Sequence, residues 1–300
     1  PIPLMYLFED KNGKKQVVDG RQRISAILDF LEGKFKLNNL RILKQFNGCC
    51  FADLDLKQQG VIEDFQLLFY IIQPPTPERV KYDIFDRVNR GGTPLNKQEM
   101  RNALYRGRCT RMLDKLCCSP EFLIATGRSI NKERMKDQYV VLRAIAFLML
   151  HRGEFKDIPA LQYRGDIDDF LARFMVYVND NAPEKLIVDY ENLFIRCMQI
   201  SYDLLGENGF RFSGNGIRRP INMPLFEALS YLFSFVPEKI DYTWASRLIL
   251  DIESVKEEFD DSRYFSGNID STTSVSFRFD RMDKIINLSL IHISEPTRPY

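Results

Sequence analysis

The sequence predicts an α+β chain: a small α/β domain over residues 1–107, then a larger all-helical domain over residues 108–287. Three observations predict it. Short apolar runs of strand character alternate with turn signals and helical stretches before residue 107. Apolar residues then recur at helical spacing from Arg111 to Glu258. The 300 residues, 45% hydrophobic and 28% charged, suffice for one large or two modest globular domains.

Leu4–Glu9 (LMYLFE) reads as a strand, Asp10–Lys14 as a glycine-containing turn, and Gln16–Asp19 (QVVD) as the returning strand. From Arg21 the period becomes helical, with Ile24, Ile27, Leu28 and Leu31 on one face and Gly33 as C-cap. A turn-rich hairpin region to about Cys50 follows, then a helix ending near Asp64. Gln66–Gln73 is an apolar strand stopped by Pro74-Pro75. Thr76-Pro77-Glu78 starts a helix that turns Val80, Ile84, Phe85 and Val88 inward and breaks at Gly91-Gly92. Asn96 and Glu99 form a capping box, with Leu95 as hydrophobic staple. Beyond Gly107 the helices are divided at Ser119-Pro120, Arg152-Gly153, Asn181–Pro183, Gly206–Gly216 and Pro237.

Composition excludes several function classes. With 42 basic and 41 acidic side chains the formal charge is +1, so there is no bulk electrostatic case for nucleic acid or membrane binding. The longest central apolar run, Ala144–Leu150, falls well short of the ~20 residues of a membrane span and reads as a core helix. The two histidines, His151 and His292, cannot build a His-rich zinc site. Six cysteines without a C-x-x-C point to a reduced, cytoplasmic chain without disulfides. The chain opens on Pro1-Ile2-Pro3 without a methionine, so the native start is expected to be missing. Ser289–Tyr300 (SLIHISEPTRPY) fits neither period and resembles a translated sequencing adapter, so residues 288–300 are read as a non-native tail. That leaves His151, in the core-helix run, as a structural residue.

Two constellations can carry chemistry. Asp19-Gly20-Arg21-Gln22-Arg23 stands where a strand ends and a helix begins, and a helix N-terminus suits an anion. Gly20 permits close backbone approach, and Arg21 and Arg23 add guanidinium forks for phosphate oxygens. Asp19 can hold a divalent ion or orient a water that Gln22 positions. The plain alternative is a turn followed by solvated or paired arginines. The second is Phe85–Leu95 (FDRVNRGGTPL), where Asn89 with Gly91 and Gly92 is either a C-cap or a set of backbone donors lining a nucleotide pocket. Residues 76–136 carry 14 basic against 7 acidic side chains, either a solvated face or a polyphosphate or nucleic-acid surface.

Together the two blocks resemble a family. VVDGRQRISAILDFLEG is similar to the (I/V)-D-G-Q-Q-R signature of the GmrSD-type restriction endonuclease N-terminal domain. FDRVNRGGTPLNKQEMRNALYRG is similar to its second block, F-x-x-(I/L/V)-N-x-G-G-x-x-L followed by a Glu-containing helix. The resemblance covers residues 1–107 and implies a ParB/sulfiredoxin-like fold. It further implies a part in defence against modified foreign DNA and binding or hydrolysis of a nucleoside triphosphate with Mg2+. Carried over, Asp19, Gln22 and Arg23 are the implied catalytic residues. Gly20, Arg21, Arg23, Asn89, Gly91 and Gly92 are the implied phosphate-binding residues, with Asp19 meeting Mg2+. Arg21 departs from the signature, replacing its first glutamine, which puts hydrolysis in doubt while favouring phosphate binding. An H-N-H nuclease centre, which many members carry further along, needs more histidines than this chain has.

The resulting expectation is a nucleotide-binding regulatory module of a modification-dependent restriction or phage-defence system. The alternatives are a DNA-binding or DNA-sensing module without hydrolysis and a degenerate scaffold for a separate nuclease subunit. The expected partners are a nucleoside triphosphate, DNA and that subunit, and no membrane.

Overall fold

A computed structural model describes residues 2–9, 13–73, 75–76, 80–81, 83–84, 87, 95–213, 218–237, 242–262 and 264–290. The chain is α+β and divides into two compact units, Pro1–Leu95 and Asn96–Tyr300.

The first unit holds a three-stranded sheet, order β2-β1-β3. β1 (Met5–Glu9) pairs antiparallel with β2 (Lys15–Asp19), with a register irregularity between Tyr6 and Leu7. β3 (Phe69–Ile72) joins β1 in parallel, and Tyr70 stacks on Tyr6 with centroids 5.9 Å apart. The parallel pairing follows from the crossover, which carries α1 (Arg21–Leu31) and α2 (Leu56–Glu63). α2 opens on a capping box between Asp55 and Gln58 and ends at Asp64.

Three expectations change here. The region 33–50 forms no hairpin among the described residues. Leu37 exchanges two backbone bonds with Gly48 and Cys49, and left-handed Asn39 and Gly48 with two short 3-10 turns prevent a ladder. On α1, Phe30 is the buried residue and Leu28 is half exposed, because the covering aromatics, Phe35 and Phe51, lie against Phe30. Val80, expected inward, is exposed.

The second unit is built around α6 (Lys136–His151), whose residues 140–149 are all buried. Ten consecutive buried positions mean that the helix is covered on every side, as its apolar sequence anticipated. α9 (Met223–Phe233), α4 (Arg108–Cys117) and α7 (Ile167–Asp180) pack against it. α8 (Glu184–Leu205) lies on α5 (Pro120–Ala125) and α9, and α11 (Thr272–Leu290) covers α9. α10 (Tyr242–Asp260) buries Leu248, Ile252, Val255 and Phe259, a stripe at helical spacing. α3 (Lys97–Leu104) starts on the expected capping box: Asn96 accepts from the amides of Gln98 and Glu99, and Glu99 accepts from the Asn96 amide. α11 runs to Leu290, so residues 288–290 are helical; residues 291–300 of the suspect tail lie outside the described residues.

Candidate functional site

β2 ends at Asp19, opposite Tyr6, and α1 starts at Arg21. The reversal between them runs through Gly20, at φ +95° and ψ 6°, a conformation that strains any residue with a Cβ. A Cβ there would also lie 2.5 Å from both Cγ and Sδ of the fully buried Met5. Glycine is therefore demanded by its backbone and by the β1 side chain beneath it, a reason separate from any approach of a ligand.

The sequence grouped Asp19 and Arg23, and the structure brings them together. The reversal at Gly20 turns the first residues of α1 back beside the strand end, with Arg23 Nη2 2.5 Å from Asp19 Oδ2. Arg23 Nη1 donates to the Pro3 carbonyl at 2.8 Å. Both side chains remain partly exposed, so the pair itself stabilises the fold by at most about 1 kcal/mol. It does lock the guanidinium in orientation at the strand end, with its donors shared between Asp19 and Pro3.

Arg21 and Gln22 are exposed on the first turn of α1. No side chain caps that turn and no acidic residue stands in it. Two arginines at an uncapped helix N-terminus oppose the partial positive charge of the backbone, an arrangement that an anion relieves. Asn89, Gly91 and Gly92 lie outside the described residues.

Among the described residues no group of three or more His, Cys, Asp or Glu is placed to hold a metal ion. A Mg2+ site at Asp19 would therefore take one carboxylate from the protein and its other ligands from phosphate and water, a donor set that Mg2+ accepts.

The basic stretch is partly neutralised. Lys97 and Arg101 pair with Asp168, Arg108 with Glu184, Lys115 with Glu191 and Arg134 with Glu99. Arg106, Arg111, Arg128, Lys132 and Lys136 are exposed and form no ion pair among the described residues. Reading the sequence did not anticipate that Asn96 and Glu99 also hold Arg134. Asn96 Nδ2 donates to the Arg134 carbonyl at 2.7 Å, and Arg134 donates to Glu99. Arg134 and Met135 both have positive φ, so this clasp holds a strained entry to α6.

His151 stacks on Phe279, with centroids 3.6 Å apart and planes 9° from parallel. Burial, assisted by the Arg278 charge, pushes its pKa down to about 4, so it is neutral near pH 7. Buried Cys109 and Cys197 have thiols pushed upward by burial, which makes them poor nucleophiles.

Residues 1–106 match the model of the GmrSD restriction endonuclease, N-terminal domain. No curated protein and no solved structure matches the chain. No helix among the described residues is long and apolar enough to cross a membrane.

Proposed function

We propose, from the match of residues 1–106 to the model of the GmrSD restriction endonuclease, N-terminal domain, that the chain is a nucleotide-binding regulatory module of a restriction system. The observation that carries this reading is the uncapped start of α1, where Arg21 and Arg23 crowd a terminus that already favours anions. In this reading the α1 amides and Arg21 take phosphate oxygens. Arg23, oriented by Asp19 and the Pro3 carbonyl, supplies a fixed charge beside them. Mg2+ carried with the nucleotide would neutralise charge between phosphates, with Asp19 offering its carboxylate. Asn89, Gly91 and Gly92 are proposed to complete the pocket with backbone donors. Gln22 is exposed on the same turn and is the side chain available to hold a water for hydrolysis.

Titration calorimetry of the full chain with ATP and GTP, with and without Mg2+, tests it. Arg23→Ala is expected to abolish binding. Arg21→Gln is expected to weaken it roughly tenfold, the loss of one charge-assisted contact, with far-UV circular dichroism unchanged. Because Arg21→Gln restores the family's glutamine, phosphate release per bound nucleotide should rise. Absence of binding by any nucleoside triphosphate refutes the proposal.

A second reading, DNA contact without hydrolysis, draws on the exposed and unpaired Arg106, Arg111, Lys132 and Lys136. It requires duplex affinity to fall steeply as salt rises, and a flat response argues against it. The nuclease of such a system would be a separate subunit or domain with which this module works.

A further inference from the structure

An arginine-rich corner of the helical unit lies outside the matched residues and is not used by the nucleotide reading. It gathers the segment after α5, the segment after α8 and the segment leading into α9. Arg211 stands at its centre and is only 4% exposed. Its guanidinium donates to the backbone carbonyls of Glu207 (3.3 Å), Thr126 (3.2 Å) and Arg219, and to Ser129 Oγ. Among the described residues it has no carboxylate partner, so neutral acceptors alone hold a full positive charge. Burial lowers its proton affinity and the charge of Arg218 lowers it further, while the nearby Glu207 carboxylate raises it.

Three more arginines surround this charge. Arg218 pairs with Glu207 at 2.8 Å, both about half exposed. Arg219 pairs with Asp260 and lies over the Phe212 ring, 5.4 Å from its centroid. Arg128, next to Ser129, is exposed and has no ion pair among the described residues. The backbone is kept clear for Arg218: Gly127 sits at φ +57°, and a Cβ there would collide with Nη2 of Arg218 and lie 2.7 Å from Glu207 Oε2. Stapling of loops accounts for the four bonds of Arg211. It does not account for three further arginines drawn around a buried charge that no carboxylate among the described residues hydrogen-bonds.

We infer that this corner binds a phosphate-bearing anion, with Arg218 and Arg219 exchanging Glu207 and Asp260 for phosphate oxygens above the fixed charge of Arg211. The exchange is favourable because exposed ion pairs contribute little, whereas arginine forks match phosphate geometry bidentately. The phosphate can come from a free polyphosphate or from a nucleic-acid backbone.

To keep the Asp19–Arg23 junction out of the measurement, the full chain carries Arg21→Gln and Arg23→Gln throughout. Sodium pyrophosphate is titrated in by calorimetry at low ionic strength. Arg218→Gln with Arg219→Gln is expected to weaken binding by roughly tenfold or more. Arg164→Gln with Arg247→Gln, an equal charge change at exposed positions elsewhere in the unit, should leave it unchanged. In parallel, a DNA duplex is titrated against salt. A backbone source lowers the salt slope by about 2 in the Arg218/Arg219 variant. A free polyphosphate source leaves duplex binding unaffected while pyrophosphate binding falls. No pyrophosphate binding, or equal losses in the two double variants, overturns the inference.

Discussion

Glu227 ties three helices of the helical unit together. It is fully buried on α9 and accepts from two arginines that are themselves buried: Nε of Arg143 on α6 and Nη2 of Arg278 on α11, the latter at 3.0 Å. The two arginines are not equally provided for. Arg143 also reaches Asp270 at 2.6 Å and the Tyr139 hydroxyl at 3.1 Å, whereas among the described residues the remaining hydrogen bond of Arg278 goes to the Ile269 carbonyl and its Nε has no hydrogen-bond partner. In Glu227→Ala, Arg278 loses its carboxylate and Arg143 keeps one. Two charge-assisted bonds at about 1.5–3 kcal/mol each give a loss of about 3–6 kcal/mol, in line with the 3–5 kcal/mol typical when one partner of a buried ion pair is removed. For a unit of this size that lowers the melting temperature by roughly 10 °C. Urea and thermal denaturation followed by far-UV circular dichroism measure it, with each transition fitted separately because the chain has two compact units. Replacing all three residues, Glu227→Leu with Arg143→Leu and Arg278→Met, should recover much of the loss by leaving no buried charge unpaired. A Glu227→Ala loss below about 1 kcal/mol would show that the cluster is solvated or rearranges, and the reasoning would fail.

Two further perturbations follow from the geometry. Gly20→Ala should destabilise the first unit by more than the ~1 kcal/mol of a strained left-handed residue alone, since its Cβ meets Met5; adding Met5→Ala should make the double variant less damaging than the sum of the singles, read from a denaturation cycle. His151 should make the helical unit acid-sensitive. Its folded pKa, near 4, lies below the ordinary 6.5, so the unfolded chain binds the proton first. Stability is then complete above about pH 6.5 and is lost as pH falls toward 4, by up to roughly 3 kcal/mol. Denaturation midpoints of the unaltered chain and His151→Phe across that range check it, and parallel curves would contradict the assignment.

Much of the fold was legible because its elements announce themselves locally. The strand–turn–strand start, the Asn96–Glu99 capping box and the all-round apolar run of α6 each follow from side-chain chemistry within a few residues of chain. The strand-to-helix junction at Asp19–Arg23 was legible for the same reason, since the change of period and the intervening glycine are local. The pairing of Asp19 with Arg23 came instead from the reversal at Gly20. The region 33–50 was misread because hairpin and irregular turn draw on the same residues, and only the left-handed Asn39 and Gly48 distinguish them.

By itself, then, the sequence determined the class of the fold, the match of its first 106 residues to a family model and the position of one strand-to-helix junction. Tertiary structure decided what no local pattern encodes. It made Gly20 answer to Met5, left Arg211 without a carboxylate, and bound Glu227 to Arg143 and Arg278, which lie 84 and 51 residues away along the chain. The physical reason is that a charge or a contact acquires its energy from its surroundings. Whether an arginine is solvated, paired or stranded depends on which distant segments fold around it, and local periodicity carries no record of them.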